Sequence, residues 1–471
     1  VIPARAPGLK IDTVPAYDGP MNRTLATLAT LATTLIASAA FAASAPDDTA
    51  RMEQVAQEYV KPGQFMGTVL VARGDKILFS KAYGTTNLEK KTPNTLNTRF
   101  RLGSLTKQFT AAAVLLLEER GKLKTTDLVK KYYPEAPPAW DKITLVQLLT
   151  HTSGIPNFTS FPDYEQFSKQ PNTPTELVQR FRDKPLDFEP GAEMRYSNSG
   201  YVLLGFIIEK ASGTTYAKFV EENIFKPLGM EDSGYETATP PIPNLAQGYV
   251  LGPSGPAVAG HLDMTVPLSA GGLYSTAPDL LRWTQALFAN KLLSAASVTK
   301  MTTPAKNDYA FGLAVAHRAG LRVIEHGGSI DGFDTKLAYF PDDKLTVVAL
   351  SNINGPGANN IVDKLGSVAH GEAVVLPSER KEVQLPADVL KQYVGTYELK
   401  PGFDLVMDVK ENRLTISPTG QASDVLFAES KDHFFSRRVD ARIEFVRDSN
   451  GAVTHLMLHQ GAFHGKAPKK K

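Results

Sequence analysis

Strand-like sequence stands at both ends of a long helical stretch, and that placement most limits the folds open to this chain. The runs Gly67-Thr68-Val69-Leu70-Val71-Ala72 and Lys76-Ile77-Leu78-Phe79-Ser80 flank Arg73-Gly74-Asp75 and read as a β-hairpin. Strand character returns only at 310–316, 322–326, 336–340 and 345–351, with turn residues such as Pro341-Asp342-Asp343 between. The middle is helix-like, at 108–119, 175–182, 200–211 and 279–288. One antiparallel sheet closed by both ends of a domain accounts for this order, with residues 361–369 as a last helix packed on it.

Composition shifts at 371–386, a polar stretch bracketed by Gly371, Pro377 and Pro386 that reads as a linker. Beyond it, short strand-like runs recur at 395–399, 404–409, 413–417, 425–427, 433–436, 442–447 and 453–459. Turns fall at Pro401-Gly402, Glu411-Asn412 and Ser449-Asn450-Gly451. This is the pattern of an all-β barrel or sandwich, and Lys469, Lys470 and Lys471 read as a solvated tail. The expected class is α+β: an antiparallel sheet with a helical subdomain, followed by an all-β domain.

Of 471 residues, 42% are hydrophobic and 21% charged, enough for a large core, and the net charge of +2 points to no nucleic acid. The absence of cysteine excludes disulfides, thiolate metal sites and cysteine catalysis. Near the start, Met21-Asn22-Arg23 precedes an apolar stretch that ends in Ala40-Phe41-Ala42, the pattern of a secretory signal peptide with cleavage after Ala42 or Ala45. The expected division is an upstream segment at 1–20, a signal at 21–42, a catalytic domain at 43–370, a linker at 371–386 and a β-domain at 387–471. No stable membrane span is expected after cleavage, which makes the protein periplasmic or secreted.

Three segments carry chemistry. Ser104-Leu105-Thr106-Lys107 opens the longest apolar helix-like run of the chain, which stops at Gly121. A lysine three residues after a serine shares its helix face, so the amine can reach the hydroxyl, which must lose its proton to attack. Ser297-Lys300 and Ser378-Lys381 repeat the spacing without opening such a run. Tyr196-Ser197-Asn198 precedes another helix. Its tyrosine is a candidate base if a neighbouring ammonium lowers its pKa, and Asn198 can accept from Lys107 and donate to a substrate oxygen. Glu325-His326-Gly327-Gly328-Ser329 ends a strand. Its two glycines would let a ligand lie close, the next N–H could face an oxyanion, and His326 could hold a substrate carboxylate or ester. A helix cap at Ser197 or Asn198 and a plain hairpin at Gly327-Gly328 are the ordinary alternatives. His151 reads as structural, fixing a loop beside the pocket.

In this order the three segments resemble the motifs of the serine β-lactamase-like superfamily. The branch is that of class C β-lactamases, D-alanyl-D-alanine carboxypeptidases, D-aminopeptidases and related esterases. Leu148-Leu149-Thr150-His151-Thr152-Ser153-Gly154, Glu189-Pro190-Gly191, Pro227-Leu228-Gly229-Met230 and Ala270-Gly271-Gly272-Leu273 extend the likeness. Tyr393-Val394-Gly395-Thr396-Tyr397 is similar to the lipocalin-like barrel appended to some of these hydrolases. The resemblance implies a β-lactamase/transpeptidase-like fold and an acyl-enzyme on Ser104, with Lys107 and Tyr196 sharing the proton work and Tyr196 as base. Asn198, His326, Gly327, Gly328 and Ser329 would bind substrate and oxyanion, without cofactor or metal. The implied substrates are D-amino-acid peptides and amides or small esters; a β-lactamase, or a penicillin-binding sensor with little turnover, is the alternative. His-Gly-Gly stands where the lactamases carry Lys-Thr-Gly, which favours the peptidase and esterase branches. A homo-oligomer is left open.

Overall fold

Along one strand Val69 and Val71 point to one side and Leu70 and Ala72 to the other, and every one of them is buried. Val347 and Ala349 against Val348 and Leu350 repeat the division on the neighbouring strand. Such strands are unbroken apolar runs because both faces of their sheet are covered. The computed structural model describes residues 46–470 except 238, 253, 254, 422, 461 and 462. The proposed signal and the segment before it lie outside the described residues.

The sheet has six strands, all antiparallel, in the order Ala314–Arg318, Leu321–Ile330, Phe333–Phe340, Leu345–Ser351, Gly67–Arg73 and Lys76–Tyr83. The N-terminal hairpin thus completes a sheet begun by the later strands. On one face lie the helices Pro46–Val60 and Gly357–Ala369, through Met52, Val55, Ile361 and Leu365. The other face carries the helical region. Its central helix, Thr106–Glu119, is buried from Thr106 to Leu117 and packs on Asn198–Ser212, which ends at left-handed Gly213. The first of the later strands begins at Ala314 rather than 310, because Gly312 turns left-handed (φ +69°) against the Lys107 carbonyl. A Cβ at Gly312 would come within 2.5 Å of that oxygen, so glycine lets the segment close on the start of the serine helix.

The C-terminal region is an eight-stranded antiparallel sheet in sequential order. Its last strand, Phe463–Pro468, is not among the expected strands, and the contacts of Lys469 and Lys470 just after it correct the reading of these lysines as a solvated tail. Lys470 donates its N–H to Thr396 and pairs with Asp404, while Tyr397 bridges Lys469, so the end of the chain nearly closes the barrel on its first strand. The strand was hard to read because His464, Gly465, Lys466 and Pro468 give it little β character; closing the edge decides its conformation. The segment expected as a linker is also fastened. Leu376 is buried with the first and last helices of the sheet, Glu379 pairs with Arg51, and Val383 donates to Ala428 of the barrel. Asp440, on the barrel, accepts from Lys364 at 2.7 Å and Arg380 at 2.9 Å. Among the described residues no helix is long and apolar enough to cross a membrane.

These contacts set where the barrel can be removed. A chain ending at Lys381 is expected to keep the Leu376 and Glu379 anchors and to retain a reactive Ser104. One ending at Gly371 should lose roughly 2 kcal/mol of stability with the buried leucine. Urea unfolding of both, after size-exclusion, checks this; equal stability would show that the segment contributes nothing to the hydrolase core.

Candidate active site

The chain bends sharply just before the serine helix. Gly103 is left-handed (φ +53°), and Gly103–Leu105 form a single 3₁₀ turn that leads into Thr106–Glu119. Ser104 is therefore in the turn ahead of the helix, with its hydroxyl free of capping duty. One helical turn on, Lys107 is fully buried and its Nζ lies 3.0 Å from Ser104 Oγ. The same nitrogen donates to Asn198 Oδ1 and to the Ala270 carbonyl, each at 2.8 Å. Asn198 is itself held, its N–H on Asn157 Oδ1 at 3.0 Å and its side-chain amide on Thr159 at 3.2 Å.

Burial holds the Lys107 ammonium well below the ordinary lysine value, with no carboxylate among the described residues to oppose it. All three partners can accept from Nζ, and the Ser104 hydroxyl can also donate to it when the amine is neutral.

Tyr196 is close by, with Lys107 Nζ 4.8 Å from its ring centroid. Its hydroxyl is out of contact with solvent and makes no hydrogen bond of ordinary geometry. Burial pushes this phenol up, against a smaller pull from the Ser104 hydroxyl. The expectation that Lys107 draws Tyr196 down is thus reversed: burial dominates the phenol, and the Lys107 nitrogen lies over the ring face rather than at its oxygen.

His151 positions the tyrosine. It is buried, its ring lies 4.2 Å from that of Tyr196, and its Nδ1 accepts the Ser197 N–H at 3.1 Å. His151 is left-handed (φ 58°), which turns the loop after Leu149 toward this contact.

The third segment is arranged differently from expectation. His326 does not reach the pocket rim; it is only 8% exposed. Its Nδ1 faces the Gly327 carbonyl and its Nε2 takes the Tyr309 hydroxyl at 3.0 Å, so both ring nitrogens are engaged inside the protein. Burial pulls its pKa down to about 3. Gly328 makes room for the protein rather than a ligand. A Cβ there would come within 2.0 Å of the Leu102 carbonyl and 2.4 Å of Thr335 Oγ1. This close approach lays the strand beside the serine turn, where a Cβ on Gly103 would lie 3.0 Å from the Ser329 N. Of the segment, Ser329 and Ile330 line the cleft over Ser104, and His326, Gly327 and Gly328 do not. The cleft, of about 70 Å³, is otherwise walled by Phe158, Thr159, Tyr164 and Leu262. Among the described residues no group of three or more histidines and carboxylates could hold a metal ion.

Sequence reasoning missed the Ala270 carbonyl, Asn157, Thr159 and Tyr309 as parts of this assembly. Ala270 stood in a stretch singled out for resemblance, but its role is a backbone one that no side chain announces. Tyr309 sits in no motif.

The buried histidines predict an acid weakness. His151 and His326 both hold protons less tightly folded than unfolded. Their contribution to stability is therefore complete above the unfolded value near 6.5 and is lost as pH falls from there toward the folded value. Between pH 6.5 and 5 the expected loss from His326 is about 2 kcal/mol. Urea unfolding at the two pH values should show His326→Asn losing less than wild type; parallel losses would show that His326 titrates alike in the folded and unfolded states.

A family model described as Beta-lactamase matches residues 52–369, and one described as a domain of unknown function, DUF3471, matches 379–468. The chain is 30% identical over 427 residues to penicillin-binding protein 4* of Bacillus subtilis (strain 168), covering 85% of this chain and 94% of that protein. Among solved structures, an octameric penicillin-binding protein homologue from Pyrococcus abyssi superposes with a TM-score of 0.64 at 25% identity, over 88% of this chain and 99% of that one. The D-amino acid amidase of Ochrobactrum anthropi SV3, complexed with L-phenylalanine amide, gives 0.62 at 25% identity, over 69% and 99%. With a serine and a buried lysine in contact under this fold, and a family match across most of its length, the chain belongs to the beta-lactamase family as a serine hydrolase.

Proposed function

We propose that the protein hydrolyses amides or small esters of D-amino acids and related acyl groups through an acyl-enzyme on Ser104, with neutral Lys107 as the base. The observation that carries this reading is the Lys107 amine, buried without a counter-charge among the described residues and 3.0 Å from Ser104 Oγ. Ser104 Oγ attacks the substrate carbonyl as its proton passes to Lys107 Nζ. The backbone N–H groups of Ser104 and Ser329 hold the oxyanion. The Lys107 ammonium so formed delivers that proton to the leaving group by way of Tyr196, whose phenol donates its own proton and takes the lysine's in return. Water then releases the acid by the reverse route.

Amides and esters are favoured over β-lactams by the walls of the cleft. Neither arginine nor lysine lines it among the described residues, and neutral His326 stands behind it, so nothing there neutralises a β-lactam carboxylate. D-alanine p-nitroanilide, p-nitrophenyl butyrate and a chromogenic cephalosporin, compared at equal concentration, test this. Turnover of the first two should exceed that of the third by about tenfold or more, for lack of a charge-assisted bond. A cephalosporin that is the best of the three would overturn the assignment, and burst labelling without turnover of any would favour a sensor.

Export is supported by the Met21–Ala42 pattern, and N-terminal sequencing of protein recovered outside the cytoplasm should begin after Ala42 or Ala45. Self-association is supported by the octameric state of the Pyrococcus abyssi homologue, and light scattering on the purified chain tests it.

A further inference from the structure

Beside the catalytic cleft is a much larger cavity, of about 650 Å³, that none of the chemistry above uses. The two share Leu262 in their walls. The strand that brings Ser329 and Ile330 to the cleft continues to Asp331 in the cavity, and Asp331-Gly332 turn the chain into the next strand. Asp331 lies two residues beyond Ser329, in the turn that ends the strand.

The charges in the cavity wall are unequally satisfied. Arg101 and Glu236 face each other in two 2.7 Å bonds and cancel. Asp263 accepts the N–H and hydroxyl of Thr265. Lys90 is exposed. Asp331 has no hydrogen bond or ion pair to its carboxylate among the described residues, and it is exposed to the cavity. It is nevertheless near the chemistry. Tyr164, a wall of the catalytic cleft, is pushed up to about 12 by burial and then by the negative charge of Asp331. An unsatisfied carboxylate at the junction of a small reactive cleft and a roomy polar cavity attracts a cation.

An aspartate before glycine is also common in hairpin turns for backbone reasons alone, and Gly332 is left-handed (φ +83°). Asparagine serves such a turn equally well, so the charge and the turn can be separated.

We propose that this cavity is an extended substrate subsite, and that Asp331 selects substrates bearing an ammonium group several bonds from the scissile carbonyl. The inference rests on the acyl-enzyme reading of Ser104. Peptides or amino-acid derivatives with a free amine fit it; acyl groups ending in a carboxylate do not. The subsite adds specificity without touching the reacting atoms.

The test uses the full chain and three esters of matched length: p-nitrophenyl 6-aminohexanoate, p-nitrophenyl hexanoate and the mono-p-nitrophenyl ester of adipic acid. Wild type should prefer them in that order by kcat/KM. Asp331→Asn should lower the ratio of cationic to neutral ester about fivefold, the scale of a partly exposed ion pair, and Asp331→Lys should favour the adipate ester. Raising the salt should reduce the wild-type ratio and leave that of Asp331→Asn flat. Where hydrolysis is slow, protection of Ser104 from a fluorophosphonate by 6-aminohexanamide against hexanamide gives the same ratio. A ratio indifferent to Asp331→Asn, with the hexanoate ester still hydrolysed, overturns the subsite alone. No labelling of Ser104 and no turnover of any ester would overturn the acyl-enzyme reading and the subsite with it.

Discussion

Ser104→Ala is expected to end covalent labelling by a fluorophosphonate and to lower kcat by at least about 10⁴, the scale found when a nucleophile that works within a unit is removed. Ser297→Ala and Ser378→Ala should change neither. All three serines precede a lysine by three residues, but among the described residues only Ser104 is hydrogen-bonded to that lysine. Ser297 donates to Glu119 and Lys300 pairs with Glu118, while Ser378 donates to Glu58. Those hydroxyls are donors to carboxylates, and neither serine lines the cleft over Ser104. Mass spectrometry of the labelled peptide decides the matter, and a label on any other serine would refute the assignment.

Lys107 should show the opposite balance of activity and stability. A buried amine without a counter-charge costs free energy in the fold, so Lys107→Met, of similar length and apolar, is expected to raise the melting temperature while lowering kcat about 10³-fold or more. Lys107→Arg is the sharper experiment. Guanidinium stays protonated at any working pH, so it keeps a cation in the site but cannot accept the Ser104 proton. If Lys107 acts as a base, arginine should be as inactive as methionine. If it acts only as a positive charge, arginine should retain much of the rate. In wild type, kcat/KM should rise with pH through one ionisation whose midpoint is below the ordinary lysine value of 10.5. Tyr196→Phe should lower the rate as well, and the double variant should be little worse than Lys107→Met, since both residues handle the same proton.

Periodicity and turn chemistry carried the architecture. Short β-branched or aromatic runs between turn residues placed the hairpin and the later strands, and the Ala- and Leu-rich run fixed the serine helix with its stop at Gly121. Spacing along one helix put Lys107 beside Ser104, because residues three apart share a face whatever the rest of the chain does. These are local consequences of the sequence.

The sequence by itself determined which residues could do chemistry, and in what order they occur. Tertiary structure alone decided their state. Whether Lys107 is charged depends on the Ala270 carbonyl and on the removal of water by helices far away in the chain. Whether His326 reaches substrate depends on Tyr309, which completes its hydrogen bonds from within the core. The role of Gly328 depends on Leu102, which occupies the space a ligand would need. Protonation and access are properties of an environment, and an environment is assembled from segments that the sequence holds far apart.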